Sequence, residues 1–201
     1  MNGTIKHAYT LLGVMTLVVF VGVYIAFHKK VEAPITTDSN NSSSMTLTLT
    51  SPLFSEGETI PSKYTCDGEN VSPELHIDNV PEGTKSFVLV MDDPDIPESI
   101  KKEQGIEKFN HWALYNIPAD TRVLNEGALI GMSGMNGRGE AKYTGPCPPD
   151  REHRYIFRLY AVSGQLNFLK APTLDEIEDS ARGMMVERAT LTGRYERTVT
   201  Q

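Results

Sequence analysis

Cysteine is scarce here, two residues in 201, and tryptophan occurs once. Two cysteines allow at most one disulfide. No C-x2-4-C pair and no H-x3-5-H pair is present, so the spacing of an ordinary zinc site is missing. No P-loop and no cluster of basic residues occurs, which leaves no basis for tight nucleotide binding and calls for no cofactor. Positive charge is in deficit, with 19 basic against 26 acidic side chains. In residues 45–201 the counts are 16 and 24, a net charge of −8, which excludes a general nucleic-acid surface. There is no internal repeat and no nucleophile elbow.

What is present begins with an apolar run. Residues Ala8–Phe27 carry no charge, and Lys6 precedes them while His28, Lys29 and Lys30 follow. Twenty residues at about 1.5 Å each match the thickness of a bilayer. A buried core helix or a cleaved signal peptide are the competing readings. The run ends in His-Lys-Lys, and the nearest small residue, Ala33, is followed by Pro34, a poor cleavage site. An uncleaved signal-anchor over 8–28 is therefore expected, after a seven-residue flank (1–7). The charges on its two sides are too similar to orient it. Residues 29–44, rich in Ser, Asn and Thr, cannot bury a core and read as a flexible tether. A folded domain follows over 45–201, expected on the extracytoplasmic side of a single-pass membrane protein.

Within that domain the pattern is mostly β. Met45–Pro52 alternates apolar and polar residues, as a half-buried strand does. Lys85–Asp93 is apolar on both faces, the mark of a central strand. His111–Pro118 and His153–Val162 add aromatic and branched strands, and Pro- and Gly-dense loops separate them. This spacing predicts an antiparallel two-sheet β-sandwich with one or two short helices. Thr173 with Glu176 makes a capping-box pattern, and Leu174, Ile177, Ala181 and Met184 fall at helical spacing. The stretch after Gly183 is open between loop and a final strand.

Strand parity selects the candidate site residues. His153, Tyr155, Phe157 and Leu159 share one face, and Arg154, Ile156 and Arg158 the other. Phe87, Leu89, Met91 and Asp93 likewise share a face, which places the Asp93 carboxylate at a sheet rim. The prolines of "DPDIP" and "GPCPP" stiffen the neighbouring loops and leave carbonyls but few N–H groups. Cys147 and His153 could form a thiol–imidazole nucleophile, but no helix N-terminus lowers the thiol pKa. Cys147, His153, His111 and Asp93 could ligate a metal, yet their spacing is not that of a known site. Cys66 and Cys147 could be bonded or free.

Taken together, "DPDIP", "HWALYNIP" and "YTGPCPPDREHRYIFRLYA" resemble the characteristic segments of the phosphatidylethanolamine-binding protein family, in particular its bacterial and archaeal Raf kinase inhibitor-like branch. "YTCDGENVSPEL" and "LTGRYER" extend the resemblance over nearly all of 45–201. It implies the family β-sandwich and a small pocket for phosphate or a phospholipid headgroup. The pocket would be formed by Asp93, His111, Pro149, His153 and Tyr155, with the two imidazoles and the phenol as donors. It also implies binding rather than catalysis, and a protein target such as a kinase or peptidase as the alternative. The chain departs from the animal pattern at Phe109 and Asn110, just before His111. It also carries an inserted segment, "ESIKKEQGIEKF", near the expected pocket mouth.

Overall fold

Strong period-two alternation after residue 46 is satisfied by two stacked sheets. The computed structural model describes residues 46–197. The expected flank, anchor and tether (1–44) lie outside the described residues, among which no helix is long and apolar enough to cross a membrane.

Three strands form the smaller sheet: β1 (Thr48–Thr50), β2 (Leu75–Asp78) and β5 (Val123–Leu124), in the order β1-β2-β5. The larger sheet contains β3 (Ser86–Asp93), β4 (Phe109–Pro118), β6 (Met132–Ser133), β7 (His153–Val162) and β8 (Met185–Tyr195). Its order is β6-β4-β3-β7-β8, and all pairings in both sheets are antiparallel. The apolar-on-both-faces segment is indeed central: every residue of β3 is buried. The ambiguous stretch after Gly183 is β8.

The larger sheet has two apolar faces because it is covered twice. Its inner face presents Phe87, Leu89, Met91, Tyr155, Phe157 and Leu159 to Leu49, Leu75 and Ile77 of the small sheet. Burying each such side chain contributes about 1.5–3 kcal/mol. The outer face presents Val88, Val90, Tyr160 and Val162 to helix α2 (Leu174–Gly183), whose Leu174, Ile177 and Ala181 are fully buried. The capping box starts that helix as its sequence predicts: Thr173 Oγ1 accepts from Glu176 N at 3.2 Å, and Thr173 N donates to Glu176 Oε2 at 2.8 Å. Met184 caps the helix end and is only partly buried.

A second, shorter helix, α1 (Glu98–Gln104), occupies the inserted segment. Pro97 enters it, a Glu98–Lys101 ion pair at 2.9 Å supports its exposed face, and Gly105 ends it in the left-handed conformation at φ 67°. None of its residues is fully buried.

Candidate functional site

The site begins where β3 ends in two consecutive aspartates. Alternation sends Asp92 to the outer face and Asp93 to the inner one, and both are buried. Outside, Asp92 receives the Arg158 guanidinium at both oxygens and Lys108 Nζ at 2.9 Å. Lys108 also reaches Glu178 of α2 at 3.0 Å, and the Tyr160 hydroxyl donates to that same carboxylate. These charges join the sheet to its covering helix, and sequence parity alone did not reveal them.

Inside, each Asp93 oxygen has a partner. Oδ1 accepts the Asp95 N–H at 2.7 Å, and Oδ2 meets His153 Nδ1 at 2.7 Å. Burial pushes the Asp93 carboxyl up from its ordinary value, while the His153 contact pulls it back. Asp95 in turn clamps Arg154, with Arg154 Nε and Nη2 each at 2.7 Å, and this pairing lowers its carboxyl to about 2. The "DPDIP" loop is thus fastened to the start of β7.

His153 is fully buried, and its other nitrogen, Nε2, meets Asp150 Oδ1 at 2.8 Å. Both ring nitrogens are therefore occupied by carboxylates. His153, expected from the sequence as a donor to a bound anion, here bridges two carboxylates and holds the frame of the site. Tyr155 is also set back. It is fully buried behind His111, ring edge against ring at 5.2 Å between centroids. Its hydroxyl has no hydrogen-bond partner, with the Cys147 backbone beside it but out of bonding geometry, and burial raises its phenol.

His111 reaches the site through a β-bulge. Met91 pairs with Trp112 but Asp92 pairs with Asn110, so β4 carries one extra residue, His111, at that point. Bulges re-aim side chains, and here the imidazole and Trp112 both come to the inner side. Strand alternation cannot predict this. His111 Nδ1 donates to the Thr144 carbonyl at 2.6 Å, and Thr144 N donates back to the His111 carbonyl at 3.0 Å. Burial lowers the imidazole to about 4, so the ring is neutral near pH 7.

Asp93, His111 and Pro149 line a cavity of about 250 Å³, with Thr144, Gly145 and Cys147 on the same wall. Facing them are Ile96, Pro97, Ile100 and Gln104 from α1 and its approach, then Phe109, so the inserted segment does form part of the pocket. The last lining residue is Arg138, which sequence reading missed. Its loop is organised by Asn136, whose Oδ1 accepts the N–H groups of Arg138 (2.9 Å) and Glu140 (3.0 Å). Asn136 Nδ2 donates to Lys142 O and Thr144 Oγ1. The Gly-dense composition marks this stretch as a loop without showing that its arginine meets the pocket.

The wall is stapled in place. Cys66 and Cys147 form a disulfide with Cα atoms 5.4 Å apart. Gly145 packs so closely that an added Cβ would lie 2.5 Å from the Tyr64 carbonyl, and its N–H donates to Asn70 Oδ1 at 2.7 Å. Among the described residues no cluster of three or more His, Cys, Asp or Glu could hold a metal ion.

Comparison with known proteins places this geometry in context. A family model described as phosphatidylethanolamine-binding protein matches residues 50–196. A UPF0098 protein of Chlamydia trachomatis is 41% identical over 150 residues, covering 74% of this chain and 98% of the relative. One from Chlamydia pneumoniae is 38% identical over 151 residues, covering 75% and 99%. Among solved structures, a phosphatidylethanolamine-binding protein homolog from Chlamydia trachomatis is 38% identical, covers 76% of this chain and 98% of its own, and gives a TM-score of 0.71. Escherichia coli YbcL, described as a member of the mammalian family, is 28% identical, covers 76% and 99%, and gives 0.67.

Proposed function

The chain belongs to the phosphatidylethanolamine-binding protein family, and from that premise we propose that it is a binding protein for small phosphate-bearing molecules. The observation that carries this reading is the cavity of about 250 Å³ with Asp93 and His111 within and Arg138 on its wall. Arg138 forms no salt bridge among the described residues, and a guanidinium pairs well with phosphate oxygens. The cavity admits a phosphate or a phosphorylated headgroup but not a large substrate.

Holding fits the site better than cutting. The Cys147 sulfur is bonded to Cys66, so no thiol faces His153 to act as a nucleophile. His153 itself is engaged at both nitrogens. The disulfide also supports an oxidising compartment for the domain, in keeping with an anchor at 8–28 that would hold it outside the cytoplasm.

The test is thermal unfolding of the full-length chain with and without phosphate. A ligand at 100 times its Kd adds about 2.7 kcal/mol of stability, which raises the midpoint by several degrees. Arg138→Ala, an exposed substitution, should leave the ligand-free midpoint unchanged and shrink the rise. A midpoint insensitive to phosphate at tens of millimolar would sink the proposal.

A further inference from the structure

The hydrogen bonds around the cavity leave its inner end short of donors. His153 offers none, because Asp93 and Asp150 face both of its nitrogens. The Thr144 carbonyl can only accept, so His111 commits its N–H at Nδ1 to that bond. In the neutral ring Nε2 is then a lone pair, and it makes no hydrogen bond to the described residues. Asp93 adds carboxylate oxygens beside it. On the wall, the Gly145 N–H is taken by Asn70, the Cys147 N–H lies toward the buried Tyr155 oxygen, and Pro146, Pro148 and Pro149 have no N–H. The Tyr155 hydroxyl is sealed from solvent. The inner end therefore presents acceptors, and the cation, Arg138, belongs to an exposed loop.

An anion bearing only acceptor oxygens would set lone pair against lone pair at that inner end. We infer that the pocket takes an oxyanion that brings a hydrogen-bond donor of its own, directing the donor at His111 Nε2 and Asp93 and the charged oxygens at Arg138. The inference rests on the cavity being an anion site. The chemical class is a phosphate monoester in its monoanionic form, whose P–OH is the donor; a headgroup bearing an ammonium meets the same requirement. A sulfate ester has the same shape and no proton, and fails it.

The tautomer stands because His111 stays neutral among its neighbours. The titratable and charged groups facing it are Asp93 of β3 with Asp92 beyond it, His153 and Tyr155 of β7, and Arg138 of the loop before Thr144. α1 contributes the uncharged Gln104. Burial is the largest influence and keeps the ring neutral; the bond to the Thr144 carbonyl and Asp92 favour the protonated ring, and Arg138 and His153 oppose it.

Methyl phosphate and methyl sulfate make the deciding pair, because at pH 5 each carries about one negative charge and only the phosphate keeps a proton, its second pKa being roughly 6. Calorimetric titration of the full-length chain should find methyl phosphate at least about tenfold tighter, the cost of an unmatched buried acceptor. Its affinity should fall as the pH rises from 5 to 8. Phosphoethanolamine should hold its affinity over that range if its ammonium enters first, and follow methyl phosphate if its P–OH does; either profile fits a donor-bearing anion. His111→Gln, which can turn an amide N–H toward the cavity, should raise affinity for methyl sulfate, and the wild-type comparison stands even if that variant fails to fold. Equal affinity for the two esters at pH 5 overturns the inference and leaves an anion site in place. Binding of neither ester removes the anion-site reading, and the inference with it.

Discussion

His153 and Asp93, sixty residues apart in sequence, meet at 2.7 Å with neither side chain appreciably exposed. This contact joins the end of β3 to the start of β7, and it fixes one edge of the pocket. Removing one partner leaves the other buried without this hydrogen bond.

The first prediction follows from that contact. His153→Ala should destabilise the fold by about 3–5 kcal/mol, the usual cost of leaving a buried carboxylate without its partner. Asp93→Asn keeps the shape and an acceptor, and should cost less, about 1–3 kcal/mol. Denaturant midpoints of both singles and the double variant measure the coupling. Strict additivity would mean that the two residues do not support each other.

His111 sets a pH dependence. Its folded-state value of about 4 lies below the ordinary 6.5, so the unfolded chain binds the proton more readily. The stability it contributes is present above pH 6.5 and is lost as the pH falls through 6.5 toward 4. The loss is about 3 kcal/mol for this group alone. His111→Asn, which can keep a donor toward Thr144, should flatten the profile in that window. Urea denaturation at half-unit pH steps is the measurement, and a variant as acid-sensitive as the wild type would refute the assignment.

The disulfide closes a long loop. Cys66 and Cys147 are 81 residues apart, and by chain entropy such a closure contributes roughly 4–5 kcal/mol. The double Cys→Ser variant should therefore shift the denaturant midpoint down by an amount near the upper end of the range for native bridges. Reduction of the wild type should produce the same shift, and no shift in either would show that the closure constrains nothing.

Asp92 anchors the opposite face. Its carboxylate is fully buried against Arg158 and Lys108. Asp92→Ala takes from Arg158 and Lys108 their fully buried partner, leaving them Glu178 and, for Lys108, Asp175, and should cost about 3–5 kcal/mol. Lys108→Met removes only a quarter-exposed partner and should cost much less. Equal costs for the two substitutions would contradict the view that Asp92 is the hub.

Much of this architecture was legible from residue order. Alternation put Asp93, His153 and Tyr155 on the inner face, and the capping box located α2, because both patterns are local and repeat along the chain. The roles within the site were less so. His153 reads as a donor until Asp150, only three residues before it, is seen to take its second nitrogen. His111 depends on a bulge that alternation cannot register, and Arg138 on a loop folded around the Asn136 side chain. Partner choice across sixty or more residues is set by sheet pairing, which no short window of sequence records.

The bridge between Cys66 and Cys147 also governs how the molecule would yield to tension. Pulled from its two ends, the chain could pay out only the residues outside the ring, while the 80 between the cysteines, with β2 through β6 among them, would stay shut. That withholds roughly 280 Å of contour length, at about 3.5 Å per residue, until a reductant opens the ring. In a single-molecule stretching record, the bridge would appear as a length that is missing until the reductant arrives.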